Sequence, residues 1–310
     1  MTEQTNPPNS EERIWSVLSH LSSLAMGMGI VLPIVGWSEQ RRKSNYASFQ
    51  TLQALGYQSL GFTVWILSYL VVVIVAAIIL LTMPESGSPD TFPASWLGFF
   101  SAVTIVFLAL YLLLPIIAAL ACALGKDFRY PILGTRLARY LGYDPAQKSD
   151  EQVWLIEDHE YRWVAAAGHF SILILIWGML APLTVWILRG KHSLFLKFQS
   201  IQTLAYQAGV TMLAGAGGFL YGVGLFALLL AMQGIGRPGG SSSPGIVILV
   251  IAGIGLLLGC LILLLVPLFH ILGQWAGYRI LKGDDYRYRL VGRLADKWIT
   301  KASIAREKPV

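Results

Sequence analysis

The sequence predicts an all-α membrane protein built from two homologous three-helix modules, with about six membrane helices plus interfacial amphipathic helices. Three observations predict it. Charged residues make up 13% of the 310-residue chain and apolar residues 55%, whereas a soluble domain carries about 25% charged residues. Six apolar runs, near 14–37, 59–83, 96–122, 163–188, 208–232 and 246–273, approach or exceed the roughly 20 residues that cross about 30 Å of hydrocarbon. Finally, two stretches are variants of one another at a constant offset of 149. One reads His20-Leu21-Ser22, Pro33, Trp37, then Phe49-Gln50-Thr51-Leu52-Gln53 through Tyr57-Gln58. The other reads His169-Phe170-Ser171, Pro182, Trp186, then Phe198-Gln199-Ser200-Ile201-Gln202 through Tyr206-Gln207. Such self-similarity marks a fused pair of units.

The expected organisation is a disordered lead-in over 1–11, a first module over 12–143 and a linker over 144–159. A second module with a basic interfacial tail follows over 160–301, then a disordered tail over 302–310. Met1 to Arg13 is acidic and rich in proline and asparagine. It lacks a basic segment followed by a short apolar core, so no cleavable signal peptide is expected.

Each module has the same order of parts. An acidic lead-in, Glu11-Glu12 or Glu157-Asp158-His159-Glu160, opens it. A first apolar run carries the histidine and the proline. A short basic loop follows, Arg41-Arg42-Lys43 or Arg189-Gly190-Lys191, and then the amide segment leads into the second helix. A Gly/Pro/Ser loop, Pro84–Ser95 or Gly234–Gly245, precedes the third. The module closes on Gly125-Lys126-Asp127-Phe128-Arg129-Tyr130-Pro131 or Gly283-Asp284-Asp285-Tyr286-Arg287-Tyr288-Arg289. Tryptophans 15, 37, 96, 163, 186 and 275 sit near the ends of the runs, where the indole favours headgroups.

Residues 286–301 have helical periodicity, with Leu290, Leu294 and Trp298 on one stripe and Arg289, Arg293, Lys297 and Lys301 beside it. That pattern predicts a helix lying in the interface, anchored by Arg289, Arg293, Lys297 and Trp298. Ile132, Leu133, Leu137 and Leu141 with Arg136 and Arg139 repeat it more weakly.

Topology is contested within the sequence. If all six runs cross, the 23 Lys and Arg residues split without bias between the two sides. If the first run of each module enters and leaves on one face, only Arg237 falls on the far side, which the positive-inside rule prefers. Length favours six crossings, and the orientation of the modules stays open. Gly27, Gly29, Pro33, Gly178 and Pro182 are where a break would be allowed.

Cys122 and Cys260 lie inside apolar runs and give neither a disulfide framework nor metal spacing. Glu157-Asp158-His159-Glu160 lacks the His-Glu-x-x-His spacing and reads as a solvated helix start. Ala214-Gly215-Ala216-Gly217-Gly218 lies in an apolar run and reads as close helix packing. There is no serine elbow and no carboxylate pair, so no enzymatic activity, catalytic residue, metal or cofactor is expected. The net charge of +6 comes from cations flanking apolar helices. They suit anionic lipid headgroups, with no nucleic acid as partner.

The candidate polar residues are His20, Gln50, Gln53 and Tyr57 with His169, Gln199, Gln202 and Tyr206. At helical spacing each set falls on one side of a helix. They act either as hydrogen bonds between helices or as the lining of a polar path. The histidines are either proton relays or satisfied by a neighbouring amide. No acidic residue lies within the six runs, which weighs against a coupled carrier.

The pattern His-Leu-Ser, Pro, Trp, basic loop, Phe-Gln-x-x-Gln, Arg-Tyr-Pro resembles a family of small bacterial membrane proteins. That family is catalogued as a domain of unknown function, number forty-eight-seventy, and grouped with the chloroplast import subunit Tic-twenty. The resemblance covers roughly 12–135 and 160–293, with Arg289 in place of the proline in the second copy. It implies a three-helix unit and a membrane location, and carries over no catalytic residue. The expected protein is a multi-pass component of a bacterial cytoplasmic (inner) membrane. Its expected role is that of a non-enzymatic structural or accessory subunit, partnered by other membrane proteins or by itself. The alternative is a channel, transporter or protein-translocation component with a glutamine-lined path.

Overall fold

The computed structural model describes residues 7–82, 92–145, 154–235 and 242–307, and these are helical with no strand among them. Asn9 starts α1 (Ser10–Leu21) through a capping box. Its side chain accepts from the Glu12 amide and the Glu12 carboxylate accepts from its own, which satisfies two of the donors a helix start leaves free. A 3₁₀ segment, Ser22–Ile30, follows and is broken at Met26, whose φ is 50°. The chain then turns back through α2 (Val31–Gln40).

The reversal is visible in what touches what. A Cβ on Gly36 would lie 3.1 Å from Ser19 Oγ and 3.2 Å from the Trp15 ring, although a continuous helix would separate residues 15 and 36 by about 31 Å. A Cβ on Gly29 would fall on the Ser22 carbonyl, so only glycine permits this closure. The second copy repeats the fold-back with α7 (Glu157–Phe170), a 3₁₀ segment over Ser171–Met179 and α8 (Leu180–Arg189). Gly178 abuts the Ser171 carbonyl and Gly168 lies against Pro182. Pro33 and Pro182 each occupy the first turn of a return arm, where a missing N–H costs nothing.

This alters the expectation of six crossings. Among the described residues, five stretches are long and apolar enough to span a bilayer: Ser10–Gln40, Asn45–Ile79, Trp96–Ala123, Leu194–Met232 and Gly245–Leu281. Ser10–Gln40 is the first hairpin, and the second contributes only a shorter apolar helix, Ile176–Arg189. Apart from the hairpins, the helices long and apolar enough to cross are α3 (Asn45–Gly56) continuing through a π turn into α4 (Phe62–Thr82), α5 (Phe92–Ala123), α9 (Leu194–Ile235) and α10 (Ser242–Leu281). The middle of each predicted loop, 83–91 and 236–241, lies outside the described residues, and so does Arg237.

The modules meet through their hairpins. Gly27 abuts Ile174 and Trp177. Trp163 packs on Gly56, and its indole donates to the Leu52 carbonyl at 2.9 Å; the helix widens to its π turn directly after this contact. At the level of the basic loop, Arg41 pairs with Glu157 at 2.8 Å and Glu160 at 3.4 Å, and the Trp37 indole donates to Glu160.

The closing helices differ from expectation and from each other. α6 (Leu133–Leu141) is buried through Leu137 and Leu141 instead of lying in the interface. Its Tyr140 ring stacks on His159, because the second module arrives on top of it. α11 spans Val291–Glu307, so residues 286–290 are not helical and the helix runs past 301. Leu290 just before it, and Leu294 and Trp298 on it, remain exposed, as do Arg289, Arg293 and Lys297. Trp298 also packs edge-on to Trp186. At the module boundaries, α1 begins inside the predicted lead-in and α7 begins inside the predicted linker.

Candidate functional site

Each module buries one polar cluster where its hairpin, its amide segment and its closing segment meet. In the first, His20 Nδ1 lies 3.0 Å from the Tyr130 hydroxyl and Nε2 lies 3.1 Å from Gln50 Oε1. An amide oxygen only accepts, so Nε2 carries a proton, while Nδ1 faces a tyrosine hydroxyl that can either donate or accept. Gln50 Nε2 donates to Asp127 Oδ1 at 2.9 Å and to the Phe128 carbonyl at 3.0 Å, which fixes the orientation of its amide. Gln53 Nε2 donates to Gln50 Oε1 and to the same carbonyl, and its oxygen accepts the Tyr130 N–H at 2.9 Å. Tyr57 stacks on Tyr130 and donates to the Tyr111 carbonyl at 2.7 Å.

The second cluster repeats the first atom for atom. His169 lies 3.0 Å from the Tyr288 hydroxyl and 3.3 Å from Gln199 Oε1. Gln199 donates to Asp285 and to the Tyr286 carbonyl. Gln202 donates to Gln199 and Tyr286 and accepts from the Tyr288 N–H. Tyr206 stacks on Tyr288 and donates to the Phe269 carbonyl. Thr203, which replaces Ala54, adds a hydroxyl 2.9 Å from His169 Nε2.

All eight expected polar residues thus fall in these two clusters. The interfacial residues Arg289, Arg293, Lys297 and Trp298 lie apart from them on the surface. Sequence reasoning missed Asp127, Tyr130, Asp285 and Tyr288. A signal existed: both pairs recur at the offset of 158 that relates the closing segments. It also missed the role of Gln58 and Gln207. Gln58 donates to the Ser19 carbonyl and to Ser22 Oγ; Gln207 donates to the Gly168 carbonyl and to Ser171 Oγ. Each amide adds a donor at the break in the hairpin, where a serine hydroxyl already donates to the same carbonyl.

Chemically, the clusters offer imidazole, amide and phenol groups bonded to one another. Burial pushes the Asp127 carboxyl above its ordinary range, with Arg129, Tyr143 and Gln50 pulling the other way. Among the described residues, no three His, Cys, Asp or Glu side chains come together as a metal site would require.

Comparison with known proteins corrects the family resemblance. Residues 11–137 match the Magnetosome magnetite crystal formation protein family, MamF/MmsF, and not the Tic-twenty-like family. The motif that suggested the latter encodes the hairpin, the amide helix and the closing segment. No curated protein and no solved structure matches the chain. The region of similarity coincides with the first module, and the chain is a multi-pass membrane protein whose first module resembles the magnetite-forming family.

Proposed function

We propose that this chain is a non-enzymatic accessory subunit of a bacterial cytoplasmic membrane or a compartment formed from it, acting in magnetite crystal formation. The match of residues 11–137 carries this reading. The clusters support its non-enzymatic part: the side-chain amide nitrogens of Gln50, Gln53, Gln199 and Gln202 all donate to protein groups. Those side chains are buried, so they serve as packing between helices and favour this reading over a solute path. Its partners are anionic headgroups at the basic face and other membrane proteins or further copies.

The test is complementation. In a magnetite-forming bacterium stripped of its own members of this family, expression of the chain should restore crystal size and shape seen by electron microscopy. Crystals that stay defective while the protein is present in the membrane would sink the magnetite assignment. Solute flux through liposomes containing the purified protein would replace the subunit reading with the channel alternative.

A further inference from the structure

The two ends of the molecule differ in width. α7 runs antiparallel to the last turns of α10, from the Arg162 contact with the Asp284 carbonyl to Ile172 against Gly273. α1 lies against the end of α5 in the same way, with Pro8 and Arg13 beside Gly125. Both hairpins therefore flank the same end of the four long helices, which we call the near end. Among the described residues, the near end holds α1, α2, α7 and α8 beside those helices, with α6 and α11 at its edge. The far end holds only the four. Each helix is about 10 Å across.

α9 has 42 residues, about 63 Å, and outreaches the roughly 40–45 Å of a bilayer with headgroups, so the level of the hairpins is read from their exposed side chains. Trp275 and Tyr278, half exposed at this height on α10, mark the interface there. Ile14, Leu18, Leu24 and Met28 on one hairpin and Ile176 and Ile187 on the other are exposed on the rim of the near end, an apolar surface that suits an acyl layer better than water. The cations of the basic loops and of α11 crown the same end.

We infer that the protein is a wedge in the bilayer that favours, and at high density imposes, a membrane convex on its cation-bearing face. One leaflet must make room for four helices that the other does not accommodate. Bending towards the broad end relieves that difference. α11, with Leu294 exposed on it, Trp298 half exposed beside Trp186 and Leu290 exposed just before it, adds to the same leaflet, and helices in that position are known to respond to curvature. This inference rests on shape and exposed apolar surface and is independent of the magnetite assignment.

The experiment uses the full-length protein, fluorescently labelled and reconstituted in giant vesicles of phosphatidylcholine with a phosphatidylglycerol fraction, from which nanotubes are pulled. Orientation is read by quenching of a near-end label with a membrane-impermeant quencher. With the near end outward, the protein should be enriched in the tube over the flat membrane on the order of twofold or more. With the near end inward, it should be depleted. Equal density in tube and vesicle for both orientations overturns the inference. Sorting should persist in pure phosphatidylcholine; if it vanishes there, headgroup attraction and not shape is responsible, and the inference falls. The triple variant Leu290→Ser, Leu294→Ser, Trp298→Ser should sort less strongly with the same sign. Complete loss in that variant would remove the effect from the hairpins and reject the wedge as drawn. No arm has a mineral readout, so failure here leaves the magnetite assignment standing or falling on its own test.

Discussion

The near ends of the two modules are nearly superimposable in their chemistry, while the helix pairs that continue from them are built on opposite principles. In the second module, α9 and α10 meet backbone to backbone. A Cβ on Gly224 would lie 2.5 Å from the Leu256 nitrogen, and one on Gly259 would lie 2.5 Å from that of Tyr221. In the first module, α4 and α5 are held apart by rings. Trp65 meets Phe107 and Tyr111 at 6.1 and 6.2 Å between centroids, and the Tyr69 hydroxyl reaches Thr104 at 2.9 Å. At the offset of 149, Trp65 and Tyr69 correspond to Ala214 and Gly218. Small residues permit close approach in lipid, where dispersion and not water exclusion drives association. The lesson is that a fixed polar cluster sets each module's near end and leaves the crossing pair free to diverge.

The strongest way to break the likeness is at the hairpin glycines. Gly29→Ala and Gly178→Ala each place a methyl on a carbonyl that has nowhere to move, and each should cost about 3 kcal/mol or more by the logic of overpacking. Denaturant titration in mild detergent measures this. A neutral Gly178→Ala beside a damaging Gly29→Ala would show that the two near ends are not equivalent.

The difference between the helix pairs is sharpened by Gly255→Leu, which drives a side chain into the Gly224 backbone. We expect a loss of about 2–3 kcal/mol. Tyr69→Phe in the first module should lose only about 0.6 kcal/mol, the typical worth of a hydrogen bond between membrane helices. Similar losses for the two variants would refute the contrast.

Smaller effects are expected from the amides. Gln53→Leu and Gln202→Leu remove matching bonds, including the acceptors of Tyr130 N–H and Tyr288 N–H. Each should cost on the order of 1 kcal/mol per hydrogen bond without preventing insertion. Unchanged stability with altered solute flux in liposomes would move these residues from packing to a path.

The least effect belongs to the contact between modules. Hydrogen bonding from Arg41 holds the Glu157 carboxyl at about 2, below its ordinary 4.5. A depressed carboxylate stabilises the folded form above the unfolded value and loses that contribution as pH falls from about 4.5 towards 2. Glu157→Gln should flatten the stability profile in that window alone. Because the carboxylate is largely exposed, solvent screens the pair and the change should be modest. The equivalent position in the first module is Pro8, so the titration is specific to this junction.

Much of the architecture was legible in sequence. Apolar length and the repeated His-Leu-Ser and Phe-Gln-x-x-Gln patterns expose the helices, the duplication and half of each cluster. The other half was hidden by separation along the chain. Asp127 and Tyr130 reach Gln50 and His20 across 77 and 110 residues, beyond any local period. The hairpins were hidden by length, because Ser10–Gln40 satisfies the same measure as a true crossing helix. Backbone chemistry at Gly29, Pro33, Gly178 and Pro182 decides otherwise, and only the placement of the cations hinted at it. α6 and α11 carry related patterns, yet α6 is covered by the second module while Leu294 and Trp298 on α11 stay exposed. Their own residues do not encode that difference.

The folded-back first runs also simplify biosynthesis. From α1 onward, the connecting segments to be carried through the hydrocarbon are those between α4 and α5 and between α9 and α10. Residues 83–91 contain no lysine or arginine, and residues 236–241 contain only Arg237. Cations resist translocation, so the insertion machinery has two short passages to complete, one of them free of positive charge. Among the described residues, every lysine and arginine from α1 onward lies at the near end.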